Sequence, residues 1–184
     1  MKLFAFDFDG TLMDTPTPET GKSVWKEKTG YVYPHVGWWG RKESLDADVF
    51  DIKPFKNVKN ILNNEVSNND SMVIILTNRQ YKLKDHVENI LSLNNIYVDD
   101  VNLKKGNEDK GQRILKYLDK YPEITEIFVY DDSQEQIDIL IDTIPELPEN
   151  VVMNIYMVNE GNIKFIEGNN KLVSLVNEEI NRIK

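Results

Sequence analysis

Hydrophobic residues in this chain fall into short blocks of strand length, separated by longer stretches where they recur at helical spacing. Leu3 to Asp7 is an apolar, aromatic-rich run closed by a turn signal at Gly10, and it predicts a strand. Met72–Leu76 is a continuous apolar run, the pattern of a strand buried on both faces. Ile127–Tyr130 repeats that pattern, Val151–Val158 predicts another strand, and Ile96–Leu103 a weaker one interrupted by Asp99 and Asp100. Between the strands, Pro54 fits the first turn of a helix running to about Val66 on Phe55, Val58, Ile61 and Leu62. Further helices are predicted through Val87, Ile90, Leu91 and Leu93, and over Gly111–Tyr121 on Ile114, Leu115 and Leu118. Another follows a Ser133 cap on Ile137, Leu140, Ile141 and Ile144. Asn159–Asn162 predicts a hairpin turn, Ile163–Ile166 its return strand, and a closing helix runs from about Asn170 to Ile183.

Strands alternating with helices predict βαβ units and right-handed crossovers. The expected fold is α/β: a single domain over residues 1–184, doubly wound around a mostly parallel, Rossmann-like sheet, with a C-terminal hairpin and helix. One stretch breaks the rhythm. Asp14-Thr-Pro-Thr-Pro-Glu19 is turn-rich, and residues 20–43 hold all three tryptophans without helical or strand periodicity. Residues 14–50 therefore predict a small flap or cap insert. Its aromatics either pin a loop to the core or line the site and exclude water, and the two readings are compatible.

In open parallel sheets, ligands bind outside the carboxyl ends of the strands. The unusual polar residues of this chain fall there: Asp7 and Asp9, Thr77, and Asp131 with Asp132 each follow an apolar strand directly. Asp7 and Asp9, two apart near a strand end, lie about 7 Å from one another by strand rise. Unscreened carboxylates at that range repel unless water or a cation reaches them. Phosphoryl transfer explains the set. Asp7, ending its strand, is the expected nucleophile, and Asp9 the acid that protonates the leaving oxygen and later activates water. Asp7, the Asp9 backbone and Asp131, with Asp132 in support, make an all-oxygen site suited to Mg²⁺. Thr77, at a predicted strand-to-helix junction, offers a hydroxyl and backbone N–H groups as a phosphate cradle. Thr11, Asn78 and Arg79 are placed at the substrate. A cation must also meet the phosphate; Lys110 is the choice, with Lys104 and Lys105 as competitors from the same loop. Gly37-Trp-Trp-Gly40 suggests that Trp38 or Trp39 stacks on a base or other flat group of the substrate.

Composition narrows the setting. The chain carries a net charge of −9, which argues against a non-specific grip on nucleic acid but leaves recognition of a phosphate end open. It has no cysteine, no signal-peptide pattern and no apolar run of membrane-spanning length, so a cytoplasmic protein with no membrane association is expected. Nothing in the sequence bears on oligomeric state.

Asp7-Phe-Asp-Gly-Thr11 resembles the first motif of the haloacid dehalogenase (HAD) superfamily of phosphohydrolases. A strand ending at Thr77, a lysine before a helix and a strand ending at Asp131-Asp132 follow in the order of that superfamily's remaining motifs. A narrower likeness is carried by Asp14-Thr-Pro-Thr-Pro18, Trp25, Gly37-Trp-Trp39 and Leu76-Thr-Asn-Arg79. These are similar to the TP-P, GWW and LTGR-like elements of the HAD domain in "Swiss army knife" RNA-repair proteins. Asn78 stands here for the glycine of the last element, and Ser133 where an arginine is expected. The resemblance implies a Mg²⁺-dependent HAD phosphatase working through an aspartyl-phosphate, on a nucleotide or a nucleic-acid terminal phosphate. The alternatives are a catalytically inactive HAD-fold interaction module and a small-metabolite phosphatase or phosphomutase. Asp9 speaks against the dehalogenase branch, where no second proton-handling carboxylate is needed.

Overall fold

The computed structural model describes residues 1–169. The chain opens with β1 (Lys2–Phe6), then sets two short segments, β2 (Met13–Asp14) and β3 (Lys53–Pro54), antiparallel on either side of helix α1 (Pro18–Thr29) in sequence. From there helix and strand alternate: α2 (Lys56–Val66), β4 (Ser71–Gln80), α3 (Lys84–Leu93), β5 (Asp100–Lys104) and α4 (Lys110–Lys120). β6 (Glu126–Asp131), α5 (Gln134–Thr143), β7 (Val152–Asn159) and β8 (Asn162–Gly168) complete the described part. The predicted closing helix lies outside the described residues.

A six-stranded sheet in the order β5-β4-β1-β6-β7-β8 holds the fold together, parallel throughout except for the β7–β8 hairpin. Because successive side chains of a strand point to opposite faces, β1 feeds two cores. Leu3 and Ala5 join Ile74, Leu76, Ile127 and Val129 against α4 and α5. Phe4 and Phe6 join Val73 and Ile75 against α2, α3 and the segment between β2 and β3. On that second face an aromatic ladder crosses the strands: Phe4 stacks on Phe128, Phe6 on Tyr130, and Tyr130 on Tyr156, with ring centres 4.5, 4.7 and 4.8 Å apart. Cross-strand aromatic pairs of this kind fix register, and register sets which residues reach the carboxyl edge.

Several expectations are corrected by the structure. Residues 18–29 form α1, where no periodic element was expected: Thr17 caps the Thr20 N–H, Pro18 takes the first turn, and Gly30 closes the helix at φ +78°. Pro54 is not in a helix; it pairs with Met13 in β3, and α2 begins at Lys56. β4 runs past Leu76 to Gln80, so Thr77 does not open a helix. A short 3₁₀ turn, Tyr81–Leu83, intervenes before α3. β5 starts only at Asp100, and Leu93 is exposed at the end of α3 rather than in the core. Ser133 sits at the N-cap of α5, but its side chain makes no capping hydrogen bond.

Candidate active site

Three neighbouring strands deliver the polar residues to one edge. The Asp7 N–H donates to the Tyr130 carbonyl at 2.9 Å, which carries the β1–β6 pairing one residue past the strand and seats Asp7 beside the end of β6. Gly10 then turns the chain at φ +69°, so that its N–H reaches the Met13 carbonyl. A side chain at Gly10 would be strained at that φ and would collide with the Asp132 carboxylate.

Lys110 occupies the first turn of α4, which is anchored by an Asp109–Gln112 capping box. Its side chain is 2% exposed, and Nζ donates to Asp7 Oδ1 at 2.6 Å and to Asp131 Oδ2 at 2.5 Å. Asp131 Oδ1 accepts the Ser133 N–H at 3.0 Å, and Asp132 Oδ1 accepts the Thr11 hydroxyl at 3.3 Å. Oxygens of Asp7, Asp131 and Asp132 lie within 4.8 Å of one another. One buried ammonium thus faces three carboxyl groups. Burial pushes the Asp7 carboxyl up to about 8, with Lys110 acting against that and the charges of Asp131 and Asp9 adding to it. Burial alone would lower Lys110, but Asp7 and Asp131 outweigh it and hold the ammonium above its ordinary range. The cluster is short of positive charge and offers only oxygen donors, so a hard divalent cation such as Mg²⁺ fits it.

Asp9 is held separately. Arg79 Nε donates to Asp9 Oδ2 and Nη2 to Asp9 Oδ1, both at 2.8 Å, a bidentate pair. The remaining Nη1 donates to the Trp39 carbonyl at 2.8 Å and to Ser44 Oγ at 2.5 Å. The guanidinium also lies 5.0 Å from the centre of the Trp39 ring. One arginine therefore ties motif one, β4 and the insert together.

These residues enclose a cavity of ≈ 520 Å³. Asp7, Asp9, Thr77, Asn78, Arg79, Trp39, Lys110, Asp131 and Asp132 all line it. Residues 17–183 match the model of HAD domain family 1 in Swiss Army Knife RNA repair proteins. The chain belongs to that family. It is also 28% identical over 163 residues to the uncharacterized protein YMR265C of Saccharomyces cerevisiae, an alignment covering 74% of this chain. The chain spans about a third of that relative, 35% of its length. The HAD domain of effector protein Lem4 from Legionella pneumophila superposes with a TM-score of 0.55 at 17% identity, covering 89% of this chain and 88% of that one. The haloacid dehalogenase-like hydrolase SP0104 from Streptococcus pneumoniae does so with 0.50 at 14%, covering 77% and 80%. These two share the fold.

For a HAD domain, the positions of the expected site residues are informative one by one. Asp7, Asp131, Asp132 and Lys110 come together. Lys104 lies in β5 and Lys105 packs over the Tyr81 ring; neither lines this cavity. The Asp9 carboxylate belongs to Arg79 and stands outside the cluster of Asp7, Asp131 and Asp132. Arg79, expected at the substrate, is buried and engaged with Asp9 and the insert. Thr11 is also buried, its hydroxyl turned to Asp132. Thr77 is buried, but in a strand: its Oγ1 accepts the Arg79 N–H at 3.1 Å, so no helix N-terminus cradles phosphate there. Asn78 is exposed and accepts from Arg113 Nη2 at 2.7 Å. Trp38 is core, not a stacking platform. It is 3% exposed, its Nε1 donates to the Pro16 carbonyl, and its ring fills the space where a Gly21 side chain would stand. Trp39, 44% exposed, is the tryptophan at the cavity. Sequence reasoning missed Arg113 and Ser44. Arg113 follows Lys110 by three residues on one helix face, a spacing that could have pointed to it.

Proposed function

We propose that this HAD domain is a Mg²⁺-dependent phosphomonoesterase that works through an aspartyl-phosphate on Asp7. Its substrate is a nucleotide or a nucleic-acid terminal phosphate. The observation that carries the reading is the separate tethering of the two motif-one aspartates, Asp7 by Lys110 and Asp9 by Arg79, on one cavity. Groups with different partners can take different roles.

Lys110 holds one Asp7 oxygen and leaves the other to attack phosphorus as the bond to the leaving oxygen breaks. Asp9, fixed by Arg79 on the same cavity, delivers a proton to that leaving oxygen. Each Asp9 oxygen keeps lone pairs beyond the one Arg79 uses. In the second half, Asp9 takes a proton from water, the water oxygen bonds to phosphorus, and the bond to Asp7 breaks to release phosphate. Asp7, Asp131 and Asp132 would hold the Mg²⁺, which supplies charge neutralisation for the phosphate oxygens. The Lys110 ammonium, bonded to Asp7 and Asp131, adds positive charge beside the same phosphate.

Asp7→Asn should abolish hydrolysis of p-nitrophenyl phosphate and of phosphorylated oligonucleotides, and leave no acyl-phosphate to be trapped by hydroxylamine. Turnover by a folded, purified Asp7→Asn protein would remove the covalent mechanism.

A further inference from the structure

A second cavity, of ≈ 350 Å³, opens at the β5 edge of the sheet, and its lining includes Lys84, Lys105, Lys116, Lys120, Arg113 and Tyr81. Two acidic residues share the wall, and both are already engaged: Asp100 accepts the Tyr117 hydroxyl, and Glu108 pairs with Lys116. Lys84 in turn pairs with Glu88 at 3.5 Å. Five basic residues against two acidic ones leave the lining positive on a chain of net charge −9. One of its lysines packs on a ring. Lys105 Nζ sits 4.3 Å from the centre of the Tyr81 ring, and Tyr81 is 46% exposed. Lysines tracking a backbone, interleaved with exposed aromatics on which bases stack, are the features that hold single-stranded nucleic acid.

The groove adjoins the catalytic cavity. Arg113, in its wall, donates to the Thr77 carbonyl at 2.9 Å and to Asn78 Oδ1 at 2.7 Å, and both residues line the catalytic cavity. Asn78 and Tyr81 are three residues apart, about 10 Å of extended chain. A nucleoside monophosphate has one phosphate, which cannot fill both places. An acidic phosphopeptide would satisfy the lysines but gives the exposed tyrosine no role.

We infer that this groove binds the phosphodiester backbone of a single-stranded nucleic acid whose terminal phosphate lies at Asp7, with Tyr81 as a stacking ring. The position of the end rests on the phosphatase reading above; the chemistry of the groove does not.

The test is fluorescence anisotropy with a labelled single-stranded dodecanucleotide bearing a terminal phosphate, alongside its hydrolysis and that of p-nitrophenyl phosphate. A Lys84→Gln/Lys105→Gln/Lys120→Gln variant should bind about tenfold or more weakly and flatten the slope of log K against log salt by about 2. Tyr81→Ala should weaken binding about tenfold. Lys26→Gln/Lys28→Gln on the exposed face of α1 should change neither. The ratio of kcat/KM for the oligonucleotide to that for p-nitrophenyl phosphate should fall with binding. Groove variants that fold and bind like the parent overturn the proposal, as does a polyglutamate peptide that displaces the oligonucleotide at equal charge. Protein that binds as expected but hydrolyses neither substrate overturns the phosphatase reading and leaves the groove standing.

Discussion

Lys110 shows how one position carries both stability and chemistry. Removing its ammonium would strand Asp7 and Asp131 in the interior with no cation between them. Breaking a buried ion pair from one side costs about 3 kcal/mol or more, because the remaining charge is uncompensated. Lys110→Met should therefore lower unfolding free energy by about that amount in urea titrations, and reduce kcat on p-nitrophenyl phosphate about 100-fold or more. Lys104→Met, on a lysine outside the cavity, should do neither. Equal, small losses at both positions would remove Lys110 from the site. Asp7 and Asp131 were legible in the sequence because carboxylates directly after buried strands have no local reason to be there. Lys110 was preferred to Lys104 and Lys105 for its place beside a predicted helix, and it is the lysine that reaches both. An Asp109–Gln112 capping box makes Lys110 the first residue of that helix. The partner of Arg79 was not legible at all, because Asp9 and Ser44 reach it from distant parts of the chain.

At the level of elements, β1, β4 and β6 were readable from apolar runs alone, because parallel strands covered on both faces need nothing else. The insert was not. Helix α1 fully buries only Gly21, so it shows no apolar stripe, and its ends are written in Thr17, Pro18 and Gly30 instead. The two adjacent tryptophans of the insert then part company. Trp38 packs against Tyr33, Phe50 and Gly21, whereas Trp39 lies over Arg79 with much of its ring in solvent. Trp38→Ala should destabilise the protein by about 3–5 kcal/mol, the cost of emptying a large core site. Trp39→Ala should change stability by less than about 1 kcal/mol and act instead on KM for substrates with a base. Denaturant midpoints and steady-state kinetics on both variants separate the two roles. A Trp38→Ala protein as stable as the parent would mean that the insert is not docked through that ring.

Across the whole molecule, the family match begins at residue 17, after Asp7 and Asp9, and it is the fold that returns both to the cavity lined by the matched residues. There the topology gathers carboxylates from β1 and β6 against a single buried lysine, in a chain already at −9. Carboxylates so gathered repel, and the folded state bears that repulsion while the unfolded chain does not. A cation that binds only the folded cluster should therefore stabilise the whole domain, by about 2.7 kcal/mol when it is present at 100 times its dissociation constant. For a domain of this size that is a rise of about 5–10 °C in Tm. Calorimetry in Mg²⁺, against sodium chloride of matched ionic strength, should show this rise in the parent protein. Asp132→Asn should abolish it without lowering Tm in chelator, since Asp132 is exposed and its loss relieves repulsion. Screening alone would give the same rise in sodium as in magnesium, and the same in the variant as in the parent. That outcome would show that the acidic cluster holds no specific divalent ion.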